Sequence, residues 1–238
     1  MYKKLLIIIP AYNEAGSIKQ VINDCRRYVA GAKIVVVNDG STDRTAEIGL
    51  ELGVVVISLP VNSGIGVGVQ TGLKYAVENN FLYAIQVDGD GQHRPVDIPQ
   101  MFLRLKQSKV DVMIGSRYLN NTGYSAQFLR RVGIVIFSVA IKMLTGELIK
   151  DTTSGFRLYN KKAVRFLAVN YPSSFPEPES LVLLIKNHFK IMEFSVEMKE
   201  RSVGRSSVSI IKGLYFFVSN IVAMIAQTPI PFRKKAYE

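Results

Sequence analysis

Apolar residues along this chain come in short runs that break abruptly. Leu5 to Ile9, Ile34 to Val37, Val54 to Leu59 and Ala84 to Val87 each run into a polar or glycine-bearing loop, followed by a stretch with helical spacing. Runs of this kind are strands buried on both faces, and their alternation with helices is the βαβ rhythm of a parallel sheet. Ser17 and Gln20 have the spacing of a capping box ahead of Ile18, Val21 and Ile22, which predicts a helix start there. Further helices are expected at about Asp43 to Leu52, Val69 to Glu78 and Val96 to Gln107. A fifth strand is expected over Asp111 to Ile114, then an apolar helix over Phe128 to Leu144, with Arg130 and Arg131 at its start and Lys142 near its end. The stretch from Asp151 to Asn160, dense in Thr, Ser and Gly, reads as a loop. Helices follow at about Lys161 to Leu167 and Glu179 to Asn187, and Ile191 to Met198 alternates as an edge strand would. No repeat or linker is visible, so the expected organisation is one α/β domain over 1–205 and a C-terminal segment over 206–238.

In open sheets of this class ligands bind where strands deliver their C-terminal ends. That directs attention to the loops Pro10 to Glu14, Asn38 to Asp43 and Asp88 to Pro95. The last of these begins Asp88-Gly89-Asp90-Gly91-Gln92-His93, two carboxylates separated by one glycine at the end of a buried strand. Carboxylates there need a cation or hydrogen-bond donors, and the flanking glycines leave room for a bulky ligand near the backbone. Oxygen ligands of this type suit Mg²⁺ or Mn²⁺ completed by a substrate diphosphate, though aspartates that merely cap the following helix would look alike. Asn38-Asp39-Gly40-Ser41-Thr42-Asp43 is a second acidic, glycine-bearing strand end. It is either a helix N-cap, with Thr42 or Asp43 accepting backbone N–H bonds, or a pocket in which Asp39 accepts from a nucleobase or ribose.

The glycines at 64, 66 and 68 do not make a dinucleotide fingerprint, because Val69 stands where the last glycine or alanine belongs and the preceding strand is not the first of its unit. No Walker-type GK[ST], HExxH, Cys/His cluster or G-x-S-x-G elbow is present, which argues against P-loop, zinc-hydrolase and serine-hydrolase chemistry. The 238-residue chain is 48% hydrophobic, as an ordinary globular domain is, and its formal net charge of +11 favours anionic partners. Basic–aromatic nucleic-acid modules are missing, so nucleic acid is not the expected partner. The single cysteine, Cys25, excludes an intramolecular disulfide and reads as a small core residue in a reducing compartment.

Taken in order, IPAYNE (9–14), NDGSTDRT (38–45), VDGDGQHRP (87–95), GSRY (115–118) and DTTSGFR (151–157) resemble glycosyltransferase family two, within its dolichyl-phosphate mannose synthase-like branch. The resemblance covers roughly Lys3 to Arg205. It implies a GT-A fold with a Rossmann-like, mostly parallel sheet, a nucleotide-sugar donor, a divalent metal and inversion at the anomeric carbon. By the same resemblance Pro10, Tyr12, Glu14 and Asp39 would line the nucleotide pocket, while Asp88 and Asp90, completed by Gln92, would hold Mg²⁺ or Mn²⁺. Arg117 would face a donor or acceptor phosphate, and Arg201 and Arg205 would supply basic residues before the C-terminal segment. Glu179, or second to it Glu177, would sit on the acceptor side, as general base if the acceptor is a sugar hydroxyl; otherwise Glu179 only complements a helix dipole. A polyprenyl phosphate acceptor is the first expectation and a hydroxyl of a lipid-linked saccharide the second. Among donors UDP-sugars come first, with GDP and dTDP open.

From Gly213 to Thr228 the chain carries no charge, but sixteen residues that include Ser219, Asn220 and Gln227 fall short of the roughly 20 needed to span a bilayer. Read as a helix, this part of the chain has an apolar side of Ile211, Leu214, Val218, Ile221, Val222 and Ile225, followed by Arg233, Lys234 and Lys235, which suits an in-plane helix at an anionic leaflet. Ile134 to Leu144 is a second candidate for such a helix; both segments are equally suited to pack on each other or across a homodimer interface. The expected location is therefore peripheral, at the cytoplasmic face of the cell membrane.

Overall fold

The structure is a computed structural model that describes residues 2–119, 128–173, 176–198, 219 and 221–226, with the backbone alone over 128–132. Its centre is a seven-stranded sheet ordered β3-β2-β1-β4-β6-β5-β7. The strands are β1 (Leu5–Ala11), β2 (Lys33–Asn38), β3 (Val55–Ser58), β4 (Tyr83–Gln86), β5 (Val112–Ser116), β6 (Arg157–Asn160) and β7 (Ile191–Ser195). β1 pairs in parallel with β2 and β4, β2 with β3, and β5 with β7, whereas β6 lies antiparallel between β4 and β5. The helices are α1 (Ile18–Tyr28), α2 (Thr45–Glu51), α3 (Ile65–Glu78), α4 (Ile98–Ser108), α5 (Phe128–Thr145), α6 (Lys161–Asn170) and α7 (Pro176–Lys186).

Residue alternation on β1 divides the interior in two. Leu5, Ile7 and Ile9 enter a core built with Ile18, Ile22 and Cys25 of α1 and Met101 and Phe102 of α4. Leu6 and Ile8 enter the other core, with Leu73 of α3, Phe137 and Ile141 of α5, and residues of α6 and α7. Met224, in the stretch 221–226, is buried in this second core. Every residue of β1 is buried, which is why a strand flanked by helices on both faces reads as one apolar run. Cys25 packs as a core residue, and burial, with a smaller push from Asp24, raises its thiol to about 12.

Three expectations need correction. The stretch 151–160 is not only loop: its last four residues are β6, an internal strand of the sheet. The strand is four residues long and polar at both ends, and Arg157 is fully buried because its guanidinium donates to the Ser154 carbonyl (2.7 Å), the Thr152 carbonyl (3.3 Å) and Ser180 Oγ (2.8 Å). α3 starts at Ile65, a turn earlier than expected, since Asp39 accepts the amides that precede it and Gly66 allows close approach to the 172–173 carbonyls. The capping box is not formed. Gln20 donates to Asp24 instead, and the Ser17 hydroxyl lies 2.7 Å from the Gly89 carbonyl, which ties the start of α1 to the loop after β4.

Candidate active site

Strand order reverses at β1, whose neighbours β2 and β4 precede crossovers to opposite sides. A crevice opens at the C-terminal edge of such a switch point. Here it is a cleft of about 290 Å³ lined by Pro10, Ala11 and Tyr12 after β1, Glu14, Asp39 after β2, Ile65 and Gly68 of α3, and Asp88, Gly89 and Asp90 after β4. The expected nucleotide residues Pro10, Tyr12, Glu14 and Asp39 therefore come together with the paired aspartates. Tyr12, 45% exposed, presents its ring at this edge.

Side chains and amides stitch the first two loops together. Asn13, at φ 55°, donates its amide to Ser41 Oγ and accepts the Thr42 amide, both at 2.9 Å. The Glu14 amide donates to Thr45 Oγ1 and the Ala15 amide to Asp43 Oδ2. Gly40, at φ 69°, admits no side chain, since a Cβ there would lie 2.6 Å from the Val61 carbonyl carbon. The capping reading of this loop holds for Asp43. Asp43 accepts the Thr45 amide at the start of α2; desolvation pushes its carboxyl up, but the Thr45 hydroxyl and the Ala15 and Thr45 amides outweigh that and hold it below its usual value. Asp39, 5% exposed, accepts from the Ser63 amide at 2.7 Å and the Gly64 amide at 2.8 Å, and still lines the cleft.

Past β4 the chain keeps pairing with β1 through the Val87 amide to the Ile8 carbonyl and the Gly89 amide to the Pro10 carbonyl. This holds both aspartates against the end of β1. Asp90 Oδ1 accepts the Gln92 amide at 3.0 Å, and Asp88 Oδ1 accepts from Gln86 Nε2 at 2.9 Å. Two carboxylates one residue apart at the cleft are a hard oxygen set of the kind that fits Mg²⁺ or Mn²⁺ with the remaining positions left to phosphate and water. Among the described residues no group of three or more His, Cys, Asp or Glu is arranged to hold a metal, so an all-protein cage is not what this loop builds.

Arg117 is not among the residues lining the cleft. It is buried, and its guanidinium donates to Asp151 Oδ2 at 2.7 Å and Oδ1 at 2.6 Å and to Thr153 Oγ1 at 2.9 Å. Asp151 also accepts the Arg117 amide, while Glu193 of β7 accepts the amides of Lys150 and Asp151. The partly buried Glu177 and Glu179 stand in the first turn of α7. Burial pushes the Glu177 carboxyl up; Arg157 and, more weakly, Arg117 oppose this, and Asp88 adds to it. Glu177 is thus in electrostatic reach of Asp88, although it is not among the residues lining the cleft. Arg201 and Arg205 lie outside the described residues, as do the side chains of Arg130 and Arg131.

Sequence reasoning missed Asp151, Arg157 and His93. Asp151 and Arg157 sit inside a recognisable motif, but their partners are distant in sequence. His93 stood only five residues from Asp88 in a glycine-bearing loop, and that proximity was the available signal.

Residues 6–167 match the model of glycosyl transferase family 2. The chain is 31% identical over 215 residues to a UDP-N-acetylglucosamine–dolichyl-phosphate N-acetylglucosaminyltransferase of Methanococcus voltae, covering 82% of this chain and 85% of that one. It is 25% identical over 217 residues to a polyprenol monophosphomannose synthase of Mycolicibacterium smegmatis, covering 87% and 82%. Among solved structures, glucosyl-3-phosphoglycerate synthase from Mycobacterium tuberculosis, in complex with Mn²⁺, UDP and phosphoglyceric acid, superposes with a TM-score of 0.70 at 18% identity, over 95% of this chain and 79% of that one. That likeness shows the fold, the expected GT-A arrangement. With the family model matched over most of its length, the chain belongs to glycosyl transferase family 2.

Proposed function

We propose that the protein is an inverting glycosyltransferase that moves a sugar from a nucleotide diphosphate, UDP first among them, to a polyprenyl-type lipid phosphate. The observation that carries this reading is the cleft itself, in which Asp88 and Asp90 share one opening with Asp39 and Tyr12 at the strand-order switch. The dolichyl-phosphate and polyprenol relatives support the acceptor, and the Methanococcus relative supports a UDP donor.

In this reaction the bond from anomeric carbon to phosphate breaks, its electron pair leaves with the nucleoside diphosphate, and an acceptor oxygen attacks the opposite face of the carbon. Asp88 and Asp90, with Gln92, would hold Mg²⁺ or Mn²⁺, which supplies Lewis-acid stabilisation of the diphosphate charge when bound. Asp39 keeps lone pairs beyond those used by the Ser63 and Gly64 amides and takes donors from the nucleoside. Tyr12 offers a flat apolar face to the base, and Pro10 and Glu14 complete the wall. Arg117, through Asp151, holds the 151–155 loop whose Gly155 packs against Asp88. A lipid phosphate is already anionic and needs no base.

The raised Glu177 carboxyl favours a second reading, a sugar-hydroxyl acceptor, because a carboxylate of increased basicity is suited to take a hydroxyl proton. Glu177→Gln and Glu179→Gln separate the two: loss of the base lowers hydroxyl transfer by about 100-fold or more and leaves phosphate glycosylation little changed.

A peripheral membrane position is part of the proposal. Val135, Val139 and Met143 line up at helical spacing on the exposed side of α5, Met143 being 83% exposed, next to the exposed Lys142. Val222 and Ile225 are exposed as well, while Met224 of the same stretch is buried in the core that α5 covers. Among the described residues no helix is long and apolar enough to cross a membrane. An apolar ridge bordered by lysine, on a chain of net charge +11, suits the surface of an anionic leaflet.

The decisive assay is transfer from radiolabelled UDP-, GDP- and dTDP-sugars into polyprenyl phosphate with Mn²⁺ or Mg²⁺, with Asp90→Asn as control. An acid-labile glycosyl phosphate lipid, reduced about 100-fold or more in the variant, is the expected product. Absence of any lipid product from every donor overturns the reading. Flotation with anionic liposomes at low salt tests the membrane part, which fails if all protein stays at the bottom.

A further inference from the structure

The carboxylate of Asp88 is held by side chains and backbone from three stretches of the chain. Gln86, fully buried two residues earlier on β4, donates from Nε2 to Asp88 Oδ1 at 2.9 Å. His93, 4% exposed, accepts the Asp88 backbone amide on Nδ1 at 3.0 Å, and its Nε2 stands 3.6 Å from Asp88 Oδ2. The ring lies nearly flat on Phe156, with centroids 4.8 Å apart and planes 19° from parallel. Behind the pair sits Gly155, where a Cβ would lie 2.6 Å from Gln86 Nε2 and 3.3 and 3.4 Å from the two Asp88 oxygens. Three separate stretches, the end of β4, the loop after it and the entry to β6, thus converge on one side chain.

The direction of the hydrogen bonds settles the tautomer of this ring. Nδ1 accepts an N–H and so carries no proton, which leaves the ring proton on Nε2, towards Asp88 Oδ2. At 3.6 Å this is outside hydrogen-bond length, so the N–H walls off the carboxylate without consuming its lone pairs. A lysine or arginine in the same place would compete with a cation for those lone pairs. A neutral ring does not. Outer-shell partners that orient a ligating group are worth about 10–100-fold in metal affinity.

We propose that His93, as the Nε2–H tautomer stacked on Phe156, is a positioning residue that fixes the main chain and carboxylate of Asp88 for a divalent cation. The inference rests on the reading of Asp88 as a metal ligand. It does not depend on which sugar or acceptor is used.

Mn²⁺ binding, followed by electron paramagnetic resonance of the free ion in the presence of UDP, tests it on the full chain. The variants are Asp88→Asn, His93→Phe, which keeps a ring on Phe156 but neither nitrogen, His93→Asn, whose Oδ1 can replace Nδ1 as acceptor, and His93→Gln, whose longer amide cannot. Expected is a loss of about 10–100-fold in Mn²⁺ affinity for His93→Phe. Metal-free UDP binding should stay unchanged in that variant, and His93→Asn should bind Mn²⁺ more tightly than His93→Gln. Should His93→Phe fail to fold, the order of His93→Asn over His93→Gln decides, and equal affinities overturn the proposal. Wild-type Mn²⁺ affinity in His93→Phe, with binding lost in Asp88→Asn, overturns the role of His93 alone. No Mn²⁺ binding by the wild type, or none lost in Asp88→Asn, overturns the metal reading and this inference with it.

Discussion

The two halves of the sheet solve the same problem by different means. On the side of β1, β2 and α3, carboxylates and carboxamides are satisfied by backbone amides: Asp39 by residues 63 and 64, Asp43 by residues 15 and 45, Asn13 and Asn38 by residues of the loop between β2 and α2. On the side of β5, β6 and α7, buried charged side chains carry the network: Arg117 pairs with Asp151, and Arg157 donates to Ser180 and to two backbone carbonyls. Amides are supplied by any sequence, so the first side tolerates change in what surrounds it. A buried ion pair is different, because each ion alone is very costly to keep out of water. Among the described residues the second side also leaves the buried hydroxyls of Ser116 and Thr152 without a hydrogen-bond partner. The donor half is therefore the robust one and the far half the brittle one.

The strongest way to break that contrast is Arg117→Met. It leaves Asp151 buried without its partner and should cost about 3–5 kcal/mol in urea unfolding, while Arg117→Met with Asp151→Leu recovers most of the loss. A cost below about 1 kcal/mol for the single change would mean that the far side is no more fragile than the near one. Next in size is Asp39→Ala, which removes the acceptor of two amides. The expected loss is about 1–3 kcal/mol, and the KM for the nucleotide sugar should rise more than kcat falls. An unchanged KM would take Asp39 out of the nucleotide pocket.

The smallest expected effect is that of Asp43→Asn. Because the Asp43 carboxyl is held below its usual 3.8, its contribution to stability is present above that pH and fades as pH falls through the lower, folded value. The variant should be slightly less stable near neutrality, where the ionised carboxyl contributes, and should show a shallower loss of stability below about pH 4. A wild-type acid limb in Asp43→Asn would show that its hydrogen bonds to residues 15 and 45 are equally strong in the neutral form.

The same contrast explains what was legible in the sequence. β1, β2 and β4 stood out because strands covered on both faces must be continuously apolar, and the paired aspartates stood out because charge at the end of such a strand needs a reason. β6 did not, since its burial rests on Arg157 finding three acceptors that no local spacing displays. Arg117 was noticed and its setting was not: Asp151, its partner, lies 34 residues away. The start of α3 was hidden for a related reason, as its first turn is secured by Asp39, some 25 residues earlier. Local periodicity shows which faces are buried, whereas the identity of a long-range partner emerges only when the chain has closed on itself.

The burial of Cys25 has a practical consequence. With its thiol raised to about 12 and packed inside the α1–α4 core, the protein's single sulfhydryl is chemically silent at neutral pH. A cysteine introduced at Met143, the exposed crest of α5, would then be the one position that a thiol-directed spin label or fluorophore modifies in the native chain. Wild-type protein serves as its own unlabelled blank, and the accessibility of that label to a membrane-soluble quencher gives the depth of α5 in a bilayer without further engineering.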